Sequence, residues 1–487
     1  MLPSGYRYPQ LGLFVGRQFL TRTDSPPVDV LNPATEECLA RLPTATPAIV
    51  GDALACAARA FAGWMEFPAS ARGAVLHRAA DLLAGRADEI AFTIVLEQGK
   101  PLRQARLEVD RVVDLFRYFG RLAGHLKDIE LDDGGQPIRR ISRPVPVGVV
   151  AAFTAWNFPL VLAGRKLAMA LAAGCPVILK AAEETPGAAV ELVRALQAAG
   201  LPDGYLSLLF GRPADISSQL LAAPVVGKIS LTGSIPVGRT LARLAADGVK
   251  PASLELGGHS AAIVFADSDI EVAARQIAAA KFANAGQVCT APSRILVERP
   301  AYDRFVSVFT ACAEALVVAD GLAERVDMGP LAHAGRLRAT QAVVEDAVAR
   351  GGKIVTGGRV LDRKGYFFEP TVIVEAPLDS AIMREEYFAP LAPIHVFDGE
   401  EEALGIANGL PYGLAAYLFT ASPERIDRMT GRLEAGGVFV NTTATVTEAT
   451  PFSGIKESGY GYEGGQRGLD SYLHYRLVNT RIEARGL

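Results

Sequence analysis

The feature that most limits how this chain can fold is a series, beginning at Val147, of short apolar β-like segments separated by amphipathic helical patterns. Segments at 147–153, 177–180, 206–210 and 228–231 alternate with helical patterns over 160–173, over 186–199 and from Pro236. Parallel strands need a long crossover, normally a helix, so this order specifies an open parallel sheet covered on both faces. A second series follows Gly258, with strands predicted at 261–265, 294–298, 394–397, 415–419 and 438–440 and amphipathic helices such as 336–350 between them. Two such α/β layers leave a cleft where a cofactor from one side meets a reactive group from the other.

The flanking regions read differently. The first quarter is predicted helical: Thr46 before Pro47 is an N-cap signal, Ser70 opens a second segment, a third run over 89–98 stops at Gly99, and a longer one covers 103–126. Short β-like runs around Gly134-Gly135 predict a hairpin between Asp128 and Pro144, and 469–482 has strand-like spacing with no partner nearby in sequence.

At 487 residues the chain exceeds one ordinary core, and length points to about three domains. A net charge of −4 gives no reason to expect a nucleic acid or an anionic membrane surface as partner. The start lacks a secretory pattern, and the apolar stretch 167–179 is too short to span a bilayer. Five scattered cysteines, odd in number and without a CxxC pair, read as reduced thiols, so a soluble cytoplasmic protein is expected. The six histidines have no ligand spacing, so no metal site is expected, and His259 reads as local packing.

Three segments carry chemistry. Cys289, in Gly286-Gln287-Val288-Cys289-Thr290, lies in a predicted loop between a helix ending near Gly286 and the next strand. Glu255 lies in Leu254-Glu255-Leu256-Gly257-Gly258, and Trp156-Asn157-Phe158-Pro159 follows the first strand of the parallel series. A thiolate attacking an aldehyde forms an adduct whose oxidation leaves a thioester, and hydrolysis of that ester needs a base to activate water. At its ordinary pKa a thiol is only a few per cent ionised near neutrality, so Cys289 needs positive potential or hydrogen-bond donors nearby, and Glu255 needs burial to act near pH 7. A nucleotide triphosphate loop is imitated over 233–240, but Arg239 stands where such a loop wants lysine.

Together these segments resemble the NAD(P)-dependent aldehyde dehydrogenase family nearly end to end, closest in appearance to its succinate semialdehyde dehydrogenase branch. The resemblance implies two Rossmann-like parallel-sheet domains plus a small β oligomerisation arm: residues 1–125 and 147–256 binding NAD, 257–467 catalytic, and 126–146 with 468–487 forming the arm of a homodimer or homotetramer. It assigns catalysis to Cys289, Glu255 and Asn157, with the Asn157 amide and the Cys289 backbone N–H as oxyanion donors. It assigns cofactor contacts to Trp156, Lys180, Glu183, Glu386 and Phe388, and substrate contacts to Phe158 and Arg165; Gly233 and Ser234, at a predicted strand-to-helix turn, join the cofactor residues because glycine lets the backbone approach phosphate oxygens, serine can donate, and a helix N-terminus favours an anion. A carboxylate at Glu183 suits a ribose 2′-OH and repels a 2′-phosphate, so NAD is expected ahead of NADP.

The branch holds a distal substrate carboxylate with two arginines. Arg165 matches one, but Ala283 stands at the position of the other. The expectation is therefore oxidation of an aldehyde, such as succinate semialdehyde, to the acid. The alternatives are a broad-specificity aldehyde dehydrogenase, an acylating variant using coenzyme A, and, in a different class, a non-catalytic NAD-binding scaffold. Glu255 argues against the acylating variant, which gains nothing from a hydrolytic base.

Overall fold

The structure is a computed structural model and describes residues 5–481 apart from 133, 136 and 445. The proposed end of the arm, 482–487, lies outside the described residues, as do 1–4.

Both parallel sheets form where the alternating pattern places them. The first has eight strands in the order Gly459–Tyr460, Ala252–Glu255, Val226–Thr232, Val149–Phe153, Val177–Lys180, Leu206–Leu209, Leu13–Val15 and Gln18–Leu20. The five from Leu206–Leu209 across to Ala252–Glu255 are parallel. Winding runs outward from Val149–Phe153 through 177–180 to 206–209, then restarts on its other side with 226–232. The switch point lies between Val149–Phe153 and Val226–Thr232, where helices diverge and an open α/β sheet leaves its ligand crevice.

The near-continuous apolar strands follow from burial on both faces. Val150 and Ala152 enter one core, with Phe116, Leu167 and Val190, whereas Val149, Ala151 and Phe153 enter another, with Leu220 and Leu241. The second sheet has seven strands, in the order Lys353–Thr356, Thr371–Val374, Leu391–Phe397, Pro292–Glu298, Ser260–Val264, Ala415–Phe419 and Gly437–Val440. Ala262 and Val264 pack to one side of it and Ala261 and Ile263 to the other. Alternate residues of one strand thus feed separate cores, which polar residues could not do without partners.

Three readings change. The first quarter is not purely helical: Leu13–Val15, Gln18–Leu20, Val28–Leu31 and Cys38–Leu42 precede the helix Pro47–Ala62. These strands are too short to show a period. The helix expected to reach Gly286 ends at Phe282, because Asn284 and Ala285 take left-handed φ values of 51° and 54°. Residues 469–472 are not strand: Gly465–Asp470 is a short helix, and the terminal strand is Leu473–Arg481. That strand pairs antiparallel along all of Ile138–Pro146, which pairs in turn with Ile129–Leu131, making a separate three-stranded sheet. Gly459–Tyr460, inside the stretch assigned to the catalytic half, crosses back to pair with Ala252–Glu255 at the edge of the first sheet. Among the described residues, no helix is long and apolar enough to cross a membrane.

Candidate active site

Glu255 is the last residue of its strand, opposite Thr232 on one side and Gly459 on the other. Its side chain is buried. Thr232 Oγ1 donates to Glu255 Oε2 at 3.2 Å, and Arg165 Nη1 lies 4.0 Å from the same oxygen. Burial first, then the Glu463 carboxylate, pushes the Glu255 carboxyl up to about 7, against the pull of Arg165 and Lys166.

Cys289 comes to the other oxygen. It sits in the turn between the distorted 283–286 segment and the strand Pro292–Glu298, half-buried, and its thiol donates to Glu255 Oε1 across 3.9 Å. Burial, then the Glu255 and Glu386 carboxylates, hold the thiol well above its ordinary pKa, while Arg165 and the Thr290 N–H oppose them. The positive charge and the hydrogen-bond donor expected beside the thiol are thus present, at Arg165 and the Thr290 N–H, but burial and two carboxylates outweigh them. The group its thiol hydrogen-bonds is a carboxylate, which suits a proton acceptor rather than a stabiliser of thiolate. The backbone packed around it admits no bulk: a Cβ at Gly258 would lie 2.9 Å from Cys289 O, and one at Gly286, already at φ 71°, would lie 2.1 Å from Ala389 O.

Asn157 leaves the switch-point strand four residues after Phe153 and is buried. One N–H of its amide donates to Gln287 O at 3.1 Å, inside the cysteine loop, which leaves the second N–H for an incoming acceptor. Its backbone oxygen accepts from Asn284 Nδ2 at 3.1 Å and from Lys100 Nζ at 2.9 Å. Phe158 packs under the Lys100 ammonium, 4.0 Å from its ring centre.

The remaining predicted residues fall in two groups. Trp156 makes edge contacts with Phe388 and His333, both with ring centres 5.7 Å apart. Glu386 accepts from Gly258 N at 3.0 Å, and burial pushes it up to about 7. A Cβ at Gly257 would sit 2.1 Å from Glu386 Oε2, so glycine there makes room for the carboxylate. Along the crevice, Lys180 Nζ binds Glu183 Oε2 at 2.7 Å, and Glu183 Oε1 accepts from Gly211 N at 2.8 Å. Gly233 follows Thr232 and donates its N–H to Glu255 O, joining the two ends of the site. Ser234 is the exposed N-cap of the helix Ile235–Asp247 and makes no side-chain cap, so the first N–H groups of that helix stay open to an anion.

Arg165 does not stand apart as a substrate ligand. Its guanidinium lies 3.8 Å from Glu463 Oε2 as well as 4.0 Å from Glu255. Glu463 pairs with Lys166, fully buried, and Lys166 also donates to Thr232 Oγ1 at 2.9 Å. His259 is buried beside Tyr387 with Nε2 3.2 Å from Ile382 O, a packing role.

Sequence reasoning missed Glu463, Lys166, Thr232, Lys100 and Asn284 as parts of the site. One signal was present: a lysine inside an otherwise apolar helix must find a carboxylate if buried. Which carboxylate was not visible, since Glu463 lies 297 residues away.

Residues 19–478 match the aldehyde dehydrogenase family. The chain is 41% identical to the 4-(hydroxymethyl)benzenesulfonate dehydrogenase of Comamonas testosteroni, over 97% of this chain and 98% of that one. It is 39% identical to the mitochondrial succinate-semialdehyde dehydrogenase of Arabidopsis thaliana, over 95% of this chain and 88% of the other. The fold superposes with a TM-score of 0.95 on the NAD+ complex structure of an aldehyde dehydrogenase from Bacillus cereus, 30% identical, covering 99% of this chain and 98% of that one. With a thiol, a carboxylate and a side-chain amide gathered at the sheet ends, the chain belongs to the aldehyde dehydrogenase family, and its fold is the aldehyde dehydrogenase fold.

Proposed function

We propose that this enzyme oxidises an aldehyde bearing a remote anionic group, such as succinate semialdehyde, to the carboxylic acid with NAD. The observation that carries the reading is the apposition of Cys289 Sγ and Glu255 Oε1 at 3.9 Å, with Asn157 tied into the same loop. Glu255 takes the thiol proton as sulfur bonds to the carbonyl carbon. The oxyanion formed accepts from the free Asn157 N–H and the Cys289 backbone N–H, each donor worth about 3 kcal/mol of barrier. NAD, when bound, supplies the acceptor for the hydride that leaves this carbon. Glu255, once more ionised, takes a proton from the water that attacks the thioester, and the acid departs as Cys289 is restored.

The uncapped helix at Ser234 suits a pyrophosphate, the Lys180–Glu183 pair suits a ribose, and Glu386 beside Gly257 suits the second ribose. On this reading 1–125 and 147–256 hold the cofactor and 257–467 carries the nucleophile. The arm, with Ile129, Leu131, Tyr475 and Leu477 exposed, pairs with a second copy. The similarity to a 4-(hydroxymethyl)benzenesulfonate dehydrogenase and to a succinate-semialdehyde dehydrogenase supports an anionic substrate. Arg165 serves it only in part, since its charge already faces two carboxylates. Cys289→Ala should abolish NADH formation with every aldehyde while NAD still binds. Retained turnover overturns the proposal, and a coenzyme A thioester product would favour the acylating alternative.

A further inference from the structure

A fully buried ion pair lies behind the segment 157–161. Lys100 Nζ and Glu108 Oε2 are 2.6 Å apart, with side chains 0% and 1% exposed. Such a pair is a poor device for stability, because desolvating both charges costs about what their attraction returns. Its other contacts are more telling. Lys100 Nζ donates to Asn157 O at 2.9 Å. The second Glu108 oxygen accepts from Leu160 N at 2.9 Å and Val161 N at 3.2 Å. These are open N–H groups at the start of the helix Pro159–Ala173, which Phe158, its N-cap residue, leaves without a side-chain acceptor. The same ammonium lies 4.0 Å from the Phe158 ring centre.

One pair thus grips four of five consecutive residues: the backbone of Asn157, the ring of Phe158, and the N–H groups of Leu160 and Val161. Lys100 is itself fixed, since it follows Gly99, at φ 89°, and its N–H donates to Gln98 Oε1 at 3.0 Å. We infer that Lys100 and Glu108 are positioning residues for the reaction: they set the height and angle of Asn157 against Cys289, so that its free N–H meets the oxyanion and not the ground-state carbonyl. The inference rests on Asn157 as an oxyanion donor, proposed above.

The test uses a matched neutral pair, Lys100→Met with Glu108→Gln. The introduced glutamine keeps an oxygen for the Leu160 and Val161 N–H groups, and the introduced methionine fills most of the lysine's volume. No charge is left stranded, so what is removed is the donor to Asn157 O and the cation over the Phe158 ring. Two rates are read: steady-state NADH formation, and p-nitrophenolate release from p-nitrophenyl acetate, which Cys289 attacks through a like oxyanion without any dinucleotide. Misplacing a catalytic group by about an ångström costs up to about 100-fold, so both rates should fall about 10- to 100-fold. The KM for NAD should stay within about twofold, since uniform binding is untouched.

The deciding variant adds Asn157→Ala. If Lys100 acts through Asn157, the neutral pair lowers neither rate further in that background. A wild-type rate for the neutral pair overturns the inference, and so does a loss that multiplies with Asn157→Ala. A wild-type rate for Asn157→Ala alone removes the oxyanion reading, and the inference with it. Should the neutral pair not fold, Glu108→Asp, which keeps the charges but shortens the reach to the helix, takes its place in the same cycle.

Discussion

Replacing Glu463 by glutamine asks whether the base is tuned from behind. Glu463 and Glu255 share the Arg165 guanidinium, 3.8 Å from one and 4.0 Å from the other. Glu463 acts on Glu255 both through its charge and through a direct hydrogen bond between the two carboxyl groups, and a like charge in such contact raises a carboxyl by about one to three units, or about 1.4 to 4 kcal/mol. Lys166, losing its carboxylate partner, pulls in the same direction. The Glu255 carboxyl, pushed up to about 7 with Glu463 in place, should then fall by about one to two units. A general base works ionised, so at pH 6 its active fraction rises from about a tenth to about four-fifths. The assay is stopped-flow NADH formation from pH 5 to 9, in which the burst reports acylation and the steady rate reports hydrolysis. In Glu463→Gln the acid limb of the steady rate should move down by more than one pH unit, with a lower plateau because the weaker base is a poorer proton acceptor. An acid limb that stays in place, or moves to higher pH, refutes electrostatic control of Glu255 by Glu463.

Three further outcomes are expected. Gly257→Ala places a Cβ 2.1 Å from Glu386 Oε2, the mobile end of a side chain, so the fold should survive while the NAD Kd from calorimetry rises about tenfold, or about 1.4 kcal/mol. Glu183→Gln removes the carboxylate beside Lys180, so kcat/KM with NADP should rise at least about tenfold relative to NAD in parallel absorbance assays. Burial raises Glu97 to about 8, and its Oε2 has no hydrogen-bond partner among the described residues. A carboxyl whose folded pKa lies above its unfolded value loses stability as pH rises from the unfolded pKa towards the folded one. Glu97→Gln should therefore gain thermal stability over the parent between pH 5 and 8, most at pH 8, by scanning fluorimetry.

What the sequence revealed follows from how local each signal is. Cys289, Glu255 and Asn157 sit in short segments whose composition proclaims a turn at a strand end, and the parallel sheets declare themselves because strands buried on both faces are apolar throughout. The end of the helix at Phe282 was hidden, since Ala283 and Ala285 are good helix formers. What breaks the helix is tertiary, with Asn284 held by Asn157 O, Gln287 O and the Gln104 side chain. Lys100 and Glu108 were equally silent. Each is an ordinary charged residue in a helical region until the fold brings Asn157 to Lys100 across 57 positions and Leu160 to Glu108 across 52. Pairings of this kind carry no periodicity and need the coordinates.

The strand Gly459–Tyr460, returning to the first sheet, brings Glu463 to Lys166 from 297 residues downstream. At about 5–20 residues per second, a ribosome delivers Glu463 roughly 15–60 s after Lys166. Through that interval the helix Pro159–Ala173 has a lysine to bury and no anion to bury with it, a cost of several kcal/mol. The buried charge at Lys166 is thus compensated only once the segment carrying Glu463 has been made, which puts completion of this side of the reaction centre late in synthesis.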